Sequence, residues 1–372
     1  MPYKYVSYQV GEADLPRTAG GQVLRLLKTC LRVSEAEISR AKFTRNGITA
    51  DGRQVRVKDH LRPGQVLQIC LKNAGAPEET GKVQPAPLPA GMDLTVLYED
   101  EDLLILDKPA GIAVHPAHGH YADTMANYAA AYLQAKKNGG GAAGAAAAQA
   151  EESRGQSIRI CGRLDKETSG VLVLAKSRAA AARLASQRSD GTFQRTYLAL
   201  AEGYFKENSL SGMIDLPLEA DPESLMRQQA GTPESSRARK AVTCYRVLTQ
   251  TGPERILADD DGRQSETEER MAGAEADQRG LALLAVRILT GRTHQIRAHM
   301  ACLGHPLAGD VLYGGQETRE ADRVMLHALK VRLRQPFSGQ LIEVRAEQTM
   351  PELMRHLYQR YREDKAGTSF GK

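Results

Sequence analysis

Residues 161–176 read CGRLDKETSGVLVLAK: one carboxylate, Asp165, sits between Arg163 and Lys166, and Thr168-Ser169-Gly170 precedes an apolar run, Val171 to Ala175. An unbroken apolar run of that length reads as a strand buried on both faces, entered through a polar turn. Downstream, Ser177 to Arg188 is rich in Ala, Leu and Arg and reads as a helix, followed by a strand over 196–203, TYLALAEG. A later strand, LALLAVRIL (281–289), leads through TGRTHQIRAHMACLGHP into another helix. Upstream, LTVLYEDEDLLILDKPAGIAVHP from Leu94 reads as strand, acidic turn and strand, then the tight element Lys108-Pro109-Ala110-Gly111. No parallel strand–helix–strand rhythm is sustained. The fold class is therefore α+β, with a mixed, largely antiparallel sheet.

Residues 72–92, KNAGAPEETGKVQPAPLPAGM, lose all periodicity to Pro, Gly and Ala and read as a linker. The division expected is a small α+β unit over 1–72, a linker over 73–92 and a main domain over 93–372. In the first unit, 22–31 is helical in pattern, and Ser34 with Glu37 has the spacing of a capping box. EAEISRAKFTRNG then continues as a basic helix to Gly47. The segments ITADG, QVRVKD and QVLQICL read as short strands separated by Asp51-Gly52 and Pro63-Gly64 turns.

The chain has 372 residues, a net charge of +5 and 41% hydrophobic content, enough for a sizeable core. No apolar stretch approaches the ~18 residues of a membrane span, and none of signal-peptide length opens the chain, so a cytoplasmic location without membrane contact is expected. The five cysteines, Cys30, Cys70, Cys161, Cys244 and Cys302, are scattered and suit a reducing compartment. Residues 259–278 carry eight acids and two arginines, a net of −6, which leaves +11 on the rest. That stretch reads as a solvated insertion over about 258–279, and the remainder can meet a polyanion. A second, low-complexity insertion, NGGGAAGAAAAQAEESRGQS, is expected over 138–157. Its Gly139, Gly141 and Gly144 mimic a dinucleotide-binding motif, but they follow a helix end where that motif needs a strand.

Several familiar sites are excluded. Glu167 and Val171 stand where a nucleophile elbow at Ser169 would need glycine. His294 and His299 are five apart with no Glu between them, which does not make a zinc pair, and no Walker A sequence occurs. No metal or organic cofactor is implied.

Four segments carry the resemblance that remains: KPAGIAVHP, GRLDKETSGVLVLAKS, GRTHQIRAHMACLGHPLAGDVLYG and MLHA. In this order, over roughly 94–350, they resemble the RluA-type pseudouridine synthases. Two positions depart from that pattern: Gly162 stands where His is frequent, and Arg195 where Lys is frequent two residues ahead of Tyr197. The first unit, over roughly 15–72, resembles the alpha-L RNA-binding module, with Ala50-Asp51-Gly52 in place of its usual Asn-Gly turn.

The resemblance implies an enzyme that detaches uracil from ribose at nitrogen, turns it and rejoins it through carbon. A carboxylate suits this because it can add covalently and later leave. By resemblance Asp165 is that group, Arg297 the guanidinium that holds it ionised, and Tyr197 the ring that stacks on the flipped uracil and handles the proton at its carbon. Arg163 would fill the gap left by the flipped base and Leu326 would form an apolar wall. Lys108 either contacts RNA phosphate or shapes the Pro-Gly turn. His294 belongs to the expected substrate-contacting set, although it, His299 and His305 also read as structural hydrogen-bonding groups. Arg40, Lys42, Arg45 and Arg53 are the expected RNA contacts of the first unit.

The expected partner is structured RNA, with ribosomal RNA the default and transfer RNA the alternative, and the expected state is a monomer. Two rivals are weighed. A binding protein without catalysis would be favoured by Asn or Ala at position 165, and a glycosidase-like hydrolase would need a second carboxylate beside Asp165.

Overall fold

The structure is a computed structural model and describes residues 3–72, 83–116, 120–137, 158–224, 226–232, 234–251 and 280–367. The low-complexity stretch at 138–157 and the acidic stretch at 258–279 lie outside the described residues.

Residues 3–72 build their own antiparallel sheet from β1 (Tyr3–Gln9), β2 (Ile48–Ala50), β3 (Arg53–Gln54) and β4 (Val66–Lys72), in the order β1-β4-β2-β3. Helices α1 (Val23–Thr29) and α2 (Glu35–Lys42) supply Val23, Leu26, Leu27, Ile38 and Ala41 to a core that includes Ile48, Leu67 and Ile69. The capping box forms: Ser34 Oγ accepts from the Glu37 N–H at 3.3 Å, and Glu37 Oε2 accepts from the Ser34 N–H at 2.8 Å. Helix α2 ends at Lys42, earlier than the basic pattern suggests, because the Thr44 and Gly47 N–H groups bond to Ala41 and Thr44 in tightened turns. QVRVKD forms a strand only at Gln54. Its Val57 and Asp59 carbonyls instead accept from the first N–H groups of α1, Leu24 and Val23, at 2.9 and 2.8 Å.

The second sheet has ten strands: β5 (Val96–Glu99), β6 (Leu103–Lys108), β7 (Arg159–Ile160), β8 (Ser169–Ala175), β9 (Gln194–Glu202), β10 (Ser211–Asp215), β13 (Val242–Thr251), β14 (Leu281–Ile288), β15 (Leu326–Arg334) and β16 (Leu341–Arg345). Its main path runs β10-β13-β14-β9-β15-β8-β6-β5. Strand β16 adds to β15, β7 adds to β8, and β11 (Leu218–Ala220) pairs with β12 (Gln228–Ala230) separately. Among the described residues only β8 and β15 pair in parallel. The α+β class with a mixed, mostly antiparallel sheet thus holds.

Strand β8 is buried on both faces, as its apolar run demands, and its side chains alternate between two cores. Leu172 and Leu174 join the core that contains α3 (Met125–Lys137) and α5 (Gln295–Cys302), through Met125, Ala129, Ile296 and Met300. Val171 and Val173 face α4 (Arg178–Ser189) through Ala180 and Leu184. Helix α6 (Glu352–Gly367) covers Leu198, Leu200 and Leu283 with Met354 and Leu357.

Position 170 must be glycine: its φ is +108°, and an added Cβ would collide with the Ala328 carbonyl on β15. That close approach brings the entry to β8, which carries Asp165, beside the first residue of β15, Leu326.

The N-terminal unit rests on α4. Glu37 Oε1 lies 3.5 Å from Arg183 Nη1, both side chains being buried, and the Arg183 guanidinium lies 4.4 Å from the centre of the Phe337 ring. Arg32 pairs with Asp190 at 3.1 Å.

Candidate active site

Beside the entry to β8 lies a cavity of about 550 Å³, within the range of small-ligand sites. Asp165, Tyr197, Leu326 and Arg163 line it, as do Arg188, Arg195 and Arg292, and Asp165 is the one carboxylate in its wall. Asp165 is half-buried, and among the described residues its carboxylate has no hydrogen-bond or ion-pair partner. A carboxylate facing a cationic cavity without a fixed partner is available to react.

The loop that presents it is fixed from behind. Its Lys166 carbonyl accepts from Gly111 N–H (3.0 Å) and from Lys108 Nζ (2.9 Å), and its Glu167 carbonyl accepts from Arg323 Nη1 (3.0 Å). Ser169 Oγ meets Arg323 Nη2 at 3.3 Å and His327 Nδ1 at 2.8 Å. His327 Nε2 faces the Ala346 carbonyl at 2.8 Å, so that nitrogen carries the proton and Nδ1 accepts from the serine hydroxyl.

Of the two readings of Lys108, the contacts fit the one in which it shapes the turn. Its side chain is fully buried and donates to the Pro109 and Lys166 carbonyls, so it shapes the Pro-Gly turn and the catalytic loop. Burial lowers its pKa to about 7, opposed by the charges of Glu167 and Asp165 and assisted by that of Arg323.

Arg297 is paired with another carboxylate. Its Nε and Nη2 donate to the two Asp310 oxygens at 2.7 and 2.6 Å, a buried bidentate pair, and it makes no hydrogen bond to Asp165. Burial would lower its pKa, but the Asp310 bonds and charge outweigh that and raise it, and the field of Asp165 adds to the rise. Arg297 thus acts on Asp165 through space while Asp310 holds the guanidinium in place. The guanidinium also lies 5.0 Å from the centre of the Tyr313 ring.

His294 is the N-cap of α5 and adopts a left-handed conformation, φ 52° and ψ 21°, uncommon for a non-glycine residue. Its Nδ1 lies 3.2 Å from the Tyr313 hydroxyl, which itself accepts from the Gln228 N–H at 2.8 Å. Burial lowers the pKa of His294, partly opposed by Asp165 and Asp310 and assisted by Arg297. His299 and His305 are bonded within the protein, His299 to Thr243 and the Leu216 carbonyl, His305 to the Glu202 carbonyl.

The two departures noted in the sequence face each other. Arg195 Nη2 donates to the Gly162 carbonyl at 3.4 Å, while a Cβ at position 162 would lie 3.1 Å from that same nitrogen. Arg195 Nη1 donates to the Tyr197 hydroxyl at 3.2 Å. The bare backbone at Gly162 thus makes room for a guanidinium that holds the tyrosine ring.

Arg163 is exposed at the rim, its Nη2 3.3 Å from Thr293 Oγ1. Arg40, Lys42, Arg45 and Arg53 belong to the N-terminal unit and do not join the cavity. Asp310, Tyr313 and Arg323 were not singled out from the sequence. Their motif, GDVLYG, was visible for the first two, but their roles depend on partners brought close only by folding.

The model of the family described as RNA pseudouridylate synthase matches residues 102–302. The uncharacterised RNA pseudouridine synthase YhcT of Bacillus subtilis is 35% identical over 342 residues, 92% of this chain and 94% of that protein. The chain belongs to the RluA-type RNA pseudouridine synthases. Ribosomal large subunit pseudouridine synthase D of Zymomonas mobilis is 32% identical over 287 residues, 74% of this chain and 76% of that one. Its counterpart in Pseudomonas aeruginosa is 29% identical over 367 residues, 95% and 96% of the two chains. Members of this family isomerise uridine in RNA, and the cavity beside β8 is the candidate site for that reaction.

Proposed function

We propose that the chain converts uridine in large-subunit ribosomal RNA to pseudouridine, with Asp165 as nucleophile. The carrying observation is that Asp165 is the single carboxylate lining a cavity otherwise rich in arginine, and that it has no partner there. A hydrolase of the two-carboxylate kind lacks its second group in that wall.

In this reading the uridine is flipped out of its helix and Arg163, exposed at the rim, occupies the space it leaves, which offsets part of an unstacking cost of a few kcal/mol. The uracil lies between Tyr197 and Leu326. The bond from ribose to N1 breaks as the carboxylate adds, the base turns, and a bond forms from ribose to C5. The proton on C5 leaves by way of Tyr197, N1 gains one, and Asp165 departs unchanged. Atoms and electrons balance without an oxidant or reductant.

The N-terminal unit holds the RNA with Arg40, Lys42, Arg45 and Arg53. The chain acts as a monomer in a reducing compartment such as the cytoplasm, which its free cysteines suit. No described helix is long and apolar enough to cross a membrane.

The names of the Zymomonas and Pseudomonas relatives support the ribosomal target. Sequencing pseudouridines in cellular RNA with and without this protein tests it. Loss of one or more sites in large-subunit ribosomal RNA is the expected result; loss confined to transfer RNA would overturn the ribosomal assignment.

A further inference from the structure

Phe43 caps the C-terminus of α2 and is 88% exposed, the highest value among the described large hydrophobic residues. The fold does not require it there: α2 buries Glu37, Ile38 and Ala41, and no described ring packs on Phe43. Covering a ring this exposed with a ligand would remove its apolar surface from water, which is favourable.

Its surroundings identify the chemistry of that cover. Residues 39–50, SRAKFTRNGITA, contain Arg40, Lys42 and Arg45 and no acid. None of these three cations makes an ion pair with a described residue, and the acids of α2 are engaged at its other end, Glu35 with Lys28 and Glu37 in the capping box. The ring's neighbours along the chain, Lys42 and Thr44, are a cation and a hydroxyl. An exposed aromatic face set among free cations fits an unpaired nucleobase, stacked on the ring while its phosphates meet the guanidinium and ammonium groups.

The position also suits a single RNA. Arg32, three residues before α2, pairs with Asp190, and the two residues before Asp190, Arg188 and Ser189, line the active-site cavity. The N-terminal unit therefore touches the chain within two residues of the cavity wall.

We propose that Phe43 is a stacking platform for an unpaired base of the RNA whose uridine enters the cavity. This rests on the reading that the N-terminal unit binds RNA, and the test separates the two. The chain contains no tryptophan, so Phe43→Trp places a single tryptophan at the platform, excited apart from the tyrosines. Its emission is expected to be quenched by an RNA hairpin with an unpaired loop, and less by a fully paired duplex of the same length. Phe43→Ala is expected to weaken hairpin binding by about fivefold to a hundredfold. The triple change Arg40→Ala, Lys42→Ala, Arg45→Ala is expected to weaken hairpin and duplex alike.

Unchanged tryptophan emission at saturating hairpin, or hairpin affinity of Phe43→Ala equal to that of the unaltered chain, overturns the platform. If the triple variant still loses affinity in that case, the RNA-binding reading survives alone. If it too is unaltered, both fall.

Discussion

Asp165 and Arg297 are separated in their contacts though joined in their fields, and the residue that decides this is Asp310. A bidentate pair removed from water is costly to break on one side only, because the remaining charge stays buried. Asp310→Ala is therefore expected to destabilise the fold by about 3–5 kcal/mol, read as a lowered urea midpoint, and to slow turnover through a displaced Arg297. A midpoint equal to that of the unaltered chain would show that the pair is dispensable. Gly162 and Arg195 make a second residue-scale test. Gly162→Ala pushes a Cβ against the Arg195 fork, and Arg195→Lys removes the fork. Each alone is expected to slow turnover, and together they are expected to cost less than the two combined, with a coupling of about 1 kcal/mol. Strict additivity would mean that the two positions do not act through one contact. That Asp165, Arg163 and Tyr197 share one cavity was legible in the sequence because each stands in a short ordered motif. Asp310 was not, since its partner thirteen residues away is met only after α5 folds back.

At the scale of elements, the strand–helix–strand order around Asp165 was legible because β8 carries a continuous apolar run and α4 begins at a serine cap, Ser177, whose hydroxyl accepts from the Ala180 N–H at 3.1 Å. Strand β1 was not anticipated: it is held by β4, some sixty residues on, which no local pattern announces. The loop that carries Asp165 depends on the packing of β8 against β15, and His327 sits at that seam. Burial lowers its pKa from 6.5 to about 4. Its neutral form is thus native, whereas the unfolded chain takes up a proton below 6.5. The stability this group provides is present at neutral pH and is lost as the pH falls from about 6.5 to 4, by roughly 3 kcal/mol in all. Urea midpoints measured across that window should fall for the unaltered chain and fall less for His327→Gln. Equal slopes would remove His327 as the source.

At the scale of the whole molecule, the N-terminal unit contributes no residue to the cavity wall but leans on α4, which does. Deleting residues 1–72 is expected to weaken RNA affinity and to leave slow turnover, provided circular dichroism shows the remainder folded with Arg183 and Phe337 uncovered. Complete loss of turnover at saturating RNA would mean that the unit completes the active site. The net charge of +5 understates the basic character that meets RNA, because residues 259–278 alone carry −6. That segregation was readable from composition, whereas the seating of the unit on α4 was not: a lone Glu37 and a lone Arg183 carry no sign that they will be buried together.

The central claim is that Asp165 performs the chemistry. Tritium release from RNA carrying uridine labelled at its fifth ring position measures turnover directly, and Asp165→Ala should bind that RNA as tightly as the unaltered chain while releasing no tritium. Substantial release by the folded variant would contradict the assignment.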